Sequence, residues 1–98
     1  MFLLGGRIPK KLYPGPGGTH SQEFAVPANI ENLYAVMNGF FIEYSDGDHH
    51  IQKMEIDLHI HREAGASTAT LNCDFHLRDE NTSGDTFWAG CDFLIIGK

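Results

Sequence analysis

Residues 54–63, MEIDLHIHRE, alternate almost without fault. Met54, Ile56, Leu58 and Ile60 share one parity; Glu55, Asp57, His59, His61 and Glu63 share the other. Successive side chains of a strand point to opposite faces. The segment therefore predicts a strand with one apolar face and one ladder of carboxylates and imidazoles. Residues 68–78 alternate in the same way, with Leu71, Cys73, Phe75 and Leu77 against Asn72, Asp74, His76 and Arg78. Set antiparallel with Ile60 opposite Leu71, the two runs place Leu58 on Cys73, Ile56 on Phe75 and Met54 on Leu77. On the other face His59 meets Asn72, Asp57 meets Asp74 and Glu55 meets His76. Every apolar residue finds an apolar partner, which is how register is normally specified, and the connection 64–67 has a common hairpin length.

The rest of the chain after residue 23 reads as strands and turns. Residues 24–26 before Pro27 form a short edge-like piece, and 34–37 with 39–44 form a β-rich run bent at Asn38–Gly39. Asp46–Gly47 is a hairpin turn signal, 79–85 is a polar loop, and 86–96 is a closing strand. Residues 30–37 also admit a helical turn or two. Residues 1–22 differ: Pro9, Pro14 and Pro16 with Gly15, Gly17 and Gly18 oppose helix and central strand. They predict an extended Pro/Gly-rich N-terminal arm, with 23–98 as the domain. Strands at this spacing imply an all-β fold, a small antiparallel β-sandwich.

Size and charge narrow the function. A chain of 98 residues is one domain and buries about 60–65% of its unfolded surface, so it gains from self-association. A net charge of −6 excludes the basic footprint that nucleic acid favours. Arg7, Lys10 and Lys11 fall in the first dozen residues, leaving four basic against thirteen acidic residues in the body. The arm is nonetheless apolar at Phe2, Leu3, Leu4 and Tyr13. An arm of that kind predicts docking onto a neighbouring subunit in a homo-oligomer, a trimer being the expected state. No apolar run approaches the ~18 residues of a membrane span. Residues 2–4 are shorter than the apolar core of about 7–15 residues in a signal peptide, so no export signal is read and the compartment is open.

The chemistry-bearing residues gather on the polar parity. Asp57, His59 and His61 project from one strand about 6.5–7 Å apart, and Asp74, His76 and Arg78 continue the surface across the hairpin. Asp57 opposite Asp74 is a like-charge pair, which costs stability unless a cation or a donor such as Arg78 or a protonated histidine relieves it. An H-x-H pair with Asp57 is an alternative metal site, although a catalytic zinc usually takes three protein ligands. The oxygen-rich stretches SDGDHH and RDENTSGD lack EF-hand spacing. Neither a G-x-S-x-G elbow nor a phosphate loop is present, and nothing excludes water from an open sheet face; no enzyme activity and no cofactor are expected. Cys73 shares parity with Leu71 and Phe75, as a buried thiol does, with a bridge to Cys91 as the alternative. Trp88, the lone tryptophan, is either a core anchor or an aromatic platform for a ligand such as a sugar. Leu94 and Ile96 share its parity opposite Phe87, Cys91, Phe93 and Ile95, so the last strand is apolar on both faces and its outer side calls for a cover.

Residues 35–97 resemble the H-type lectin domain. The resemblance lies in Gly39–Phe40 opening a strand, the 54–60 alternation, TLNCDFHLRD and the closing FWAGCDFLIIG. It implies a six-stranded antiparallel sandwich that trimerises and binds N-acetylgalactosamine-type sugars between protomers. His76 and Arg78 fall where that family's polar sugar contacts come. The family's tryptophan before its turn has no counterpart, since His76–Leu77–Arg78 stands there, and its final-strand tryptophan falls at Phe93. The loop 79–85 is also longer, so the sugar's identity does not carry over. The expectation is a non-enzymatic, oligomeric carbohydrate-binding module using Asp57, His59, His61, Asp74, His76, Arg78 and Trp88. The alternatives are an assembly subunit, such as a phage or surface-appendage protein gripping its neighbour, and a metal-binding protein using the histidine ladder.

Overall fold

The computed structural model describes residues 1–45, 51–79 and 85–98. The strands are β1 (Phe2–Tyr13), β2 (Gly17–Ala25), β3 (Leu33–Tyr44), β4 (Ile51–His61), β5 (Thr68–Asp79) and β6 (Phe87–Gly97). They form two three-stranded antiparallel sheets, β1-β6-β3 and β2-β5-β4. The all-β sandwich that the alternation predicts is thus the fold. Strands β5 and β6 are central in their sheets; β1 lies over β2 and β3 over β4 at the two margins.

The core is built by the odd-numbered residues of the central strands. Leu71, Cys73, Phe75 and Leu77 of β5 meet Phe87, Ala89, Cys91, Phe93 and Ile95 of β6, all buried. Tyr13 closes one end, its ring 5.3 Å from Phe75 and 5.8 Å from Phe87. The β4–β5 register runs Ile60↔Leu71, Leu58↔Cys73, Ile56↔Phe75 and Asp57↔Asp74, as the alternation requires. Because β4 is an edge strand, its apolar face is only half-covered, and Met54 remains 45% exposed. Gly65 adopts φ 76° in the 64–67 connection, the left-handed conformation that favours glycine. The bend expected at Asn38–Gly39 is a bulge between Met37 and Gly39.

The N-terminal segment corrects the sequence reading. Residues 1–22 are not an arm: β1 pairs with β6 along its length, and β2 pairs with β5 from Gly17 to Ala25. The prolines sit where strands tolerate them. Pro9 lies in a bulge between Ile8 and Lys11 of an edge strand, and Pro14 and Pro16 lie at the link between the sheets. Phe2, Leu4, Ile8 and Tyr13 face the interior as part of the core or packed on it. Glycine is required where Gly18 passes Tyr13, since a Cβ there would lie 2.4 Å from the ring. The helical turn over 30–37 is absent as well, for Leu33 onward is β3. At that end Val26, Ile30 and Ala69 form a second small core, and Arg62 donates to the carbonyls of Ala66 and Ile30.

Candidate functional site

Six of the seven ligand candidates from the sequence share one surface. Asp57, His59 and His61 on β4 and Asp74, His76 and Arg78 on β5 lie on the outer face of the second sheet, opposite in parity to the core residues. Strand β2 extends this face with Thr19, Ser21 and Glu23, at register with Asp74, Asn72 and Thr70. The face is largely polar, with Asp57, His59, His61 and Asp74 exposed and His76 and Arg78 half-buried.

Of the like-charge pair at its centre, Asp74 has partners on both sides. The Thr19 hydroxyl donates to Asp74 Oδ1 at 2.6 Å, and His59 Nε2 stands 3.5 Å from Asp74 Oδ2. Ser21 donates to Asn72 beside them. Arg78, the sequence's candidate for this task, does not contact either carboxylate among the described residues. Its Nε and the Nε2 of His76 are shielded from solvent and have no hydrogen-bond partner among them. Further along, Lys53 Nζ lies 2.9 Å from Glu55 and holds its carboxyl below the ordinary value, while His61 Nε2 is 2.9 Å from Glu63. Asp57, His59 and His61 do not converge as a metal-ligating set, and among the described residues no three His, Cys, Asp or Glu side chains do. The SDGDHH turn beyond Ser45 and the loop 80–84 lie outside the described residues.

Trp88 is on the other side of the molecule. It points outward from β6 on the first sheet, 40% exposed, between Leu12 of β1 and Glu43 of β3 at the same register. The sequence placed it with the ladder, but the sandwich separates them by its full thickness. Its surroundings are built by the β1 bulge. Gly90 lies beneath that bulge, where a Cβ would come 2.8 Å from the Ile8 carbonyl and 3.0 Å from the Lys10 amide. Glycine therefore lets Pro9–Lys10 cross the outer face, bringing Lys10 Nζ within 4.0 Å of the Phe41 ring centre. Arg7 donates to Asp92 at 2.7 Å nearby. Two open grooves result, of about 380 Å³ and about 270 Å³, sharing Lys10 and Phe41. Arg7, Lys10, Phe41, Glu43 and Asp92 escaped sequence reasoning because residues 7–11 read as arm. The signal was the Phe2, Leu4, Gly6, Ile8 alternation within it.

The same outer face is apolar at its far end, where Leu3, Tyr34 and Val36 are 58%, 51% and 45% exposed beside half-buried Leu94 and Ile96. Of the residues expected to contact a neighbouring subunit, Leu3 alone faces outward; Phe2, Leu4 and Tyr13 are spent on the interior. Cys73 and Cys91 face each other across the core as free thiols, Sγ to Sγ 4.0 Å. Burial raises both above the ordinary thiol value, which removes thiolate character. Among the described residues no helix is long and apolar enough to cross a membrane. Comparison with known proteins finds no matching family model, curated protein or solved structure.

Proposed function

We propose that this protein is a non-enzymatic, self-associating carbohydrate-binding module. The observation that carries the reading is the outer face of the second sheet. There Asp57, His59 and Asp74 form an open array of donors and acceptors fixed by strand register, with His76 and Arg78 half-buried beside them. Such an array suits the hydroxyls of a glycan, since Asp accepts, Arg donates and His does either. Openness argues against catalysis, because general acid–base chemistry gains from a water-excluded site. His76 and Arg78, the positions where the resemblance to H-type lectins puts polar sugar contacts, belong to this face. A glycan array tests the reading: binding by the intact protein that is lost in both His76→Ala and Arg78→Ala supports it. Silence from a well-folded protein overturns it.

A second reading, an assembly subunit, is favoured by the apolar end of the first sheet. Leu3, Tyr34 and Val36 with Leu94 and Ile96 make a contiguous surface that a second copy of the chain would bury, in a trimer or another closed oligomer.

A further inference from the structure

We propose that the outer face of the first sheet carries a distinct saccharide subsite, between the β1 bulge and Trp88, that takes an uncharged hexopyranoside. The proposal rests on the carbohydrate reading but places binding on the opposite side of the sandwich from the histidine ladder. Three remote segments meet there because Gly90 lets Pro9–Lys10 cross over β6. Among the described residues the ladder face has no Phe, Tyr or Trp at its outward positions, whereas this one presents Trp88, with Leu12 at register beside it and Phe41 lining the same groove beneath Lys10 Nζ. The C–H face of a pyranose ring packs on such a surface, and the amphipathic indole keeps its N–H for a hydroxyl. Charge decides which sugar. The two grooves that share Lys10 and Phe41 are together lined by Arg7 and Lys10 against Glu43 and Asp92, so their formal charge sums to zero in a chain of −6. A phosphorylated or carboxylated ligand would meet two carboxylates, and an amine two cations. A neutral polyol finds both charged donors and charged acceptors along the grooves, and bonds to charged groups are the stronger kind. The contact with Asp92 is made through Nε, one of the five N–H donors of Arg7.

Trp88 is the sole tryptophan, so its fluorescence reports this site alone. The full-length protein is titrated with methyl hexopyranosides of gluco, galacto and manno configuration. The expected result is a saturable emission shift with at least one glycoside. Lys10→Ala and Glu43→Ala should each weaken it about tenfold, while His76→Ala and Arg78→Ala leave it unchanged. Near-ultraviolet circular dichroism of each variant verifies that the core is intact. Trp88→Phe, followed by saturation-transfer NMR on the glycoside, serves as the second readout and should retain weakened contact. No emission change with any glycoside overturns the subsite. If array binding depending on His76 persists beside a silent Trp88, the carbohydrate reading stands and this location falls. If both are silent, both fall. Emission that follows protein concentration rather than glycoside assigns the groove to a second copy of the chain and also overturns the proposal.

Discussion

Asp57 and Asp74 stand directly opposite each other on β4 and β5, and only Asp74 has a donor from the third strand of the sheet, the Thr19 hydroxyl at 2.6 Å. The pair is therefore asymmetric. Asp74 is anchored by Thr19 and flanked by His59, while Asp57 contributes chiefly repulsion. Both carboxylates are exposed, so solvent screens the interaction to tenths of a kcal/mol.

Asp57→Asn should accordingly be neutral or stabilising by up to about 0.5 kcal/mol. Thr19→Val, which removes the donor and leaves the repulsion, should destabilise by about 1 kcal/mol. Urea unfolding of the two variants beside the parent checks the order. A larger loss in Asp57→Asn than in Thr19→Val would show that Asp57 is the anchored partner.

Core truncations should separate the central from the edge strand. Phe75→Ala, at 1% exposure on β5, should cost about 3–5 kcal/mol. Its register partner Ile56 on half-covered β4 should cost about 1–2 kcal/mol when cut to alanine, since it buries less area. Equal losses would mean that β4 is as deeply packed as β5.

The contrast between these strands shows what was legible beforehand. Residues 54–60 and 71–77 declared their register because both runs alternate strictly and a slip by one residue would put Phe75 outside. Residues 2–25 did not, although Phe2, Leu4, Gly6 and Ile8 alternate too. Their prolines and glycines are read as breakers until the partner strand is known. Gly6 leaves room for the Phe93 ring, which a Cβ would approach to 2.4 Å, and Gly90 admits the bulge at Pro9. Those are tertiary reasons, invisible to a local pattern. The ladder was found for the same cause that Lys10, Phe41 and Trp88 were not found together: a hairpin is local, and a site across β1, β6 and β3 is not.

Alkaline pH should unfold the protein through its buried acids. Burial raises the Tyr13 hydroxyl above its ordinary 10.0, and the Cys73 and Cys91 thiols above 9.0. Well below pH 9 these groups are protonated in both states and cost nothing. Above it the unfolded chain releases protons that the folded chain keeps, so stability falls as pH rises. Each such group contributes up to about 1.4 kcal/mol per pH unit. Thermal unfolding between pH 8 and pH 10.5 should steepen beyond pH 9, and Cys73→Ala should flatten the slope by about one proton. A slope unchanged in that variant would remove Cys73 from the set.

Self-association, finally, should map to the apolar end of the first sheet and not to an N-terminal arm. A chain starting at Thr19 would lack β1, an entire edge strand whose Ile8 and Tyr13 are in the core, and should fail to fold. Point variants avoid that. Val36 and Leu94 are register neighbours whose side chains face outward. Val36→Asp would place a charge in the middle of the surface formed with Leu3, Tyr34 and Ile96. Sedimentation velocity of the parent should give an oligomer, with a trimer expected, and Val36→Asp should shift it to monomer with little change in melting temperature. Because the contact is apolar, salt should alter the distribution only weakly, unlike an association steered by exposed charges. A monomeric parent at high concentration would end the oligomer proposal. An oligomer that survives Val36→Asp would move the interface to the polar face of the second sheet or to the open margin between β3 and β4.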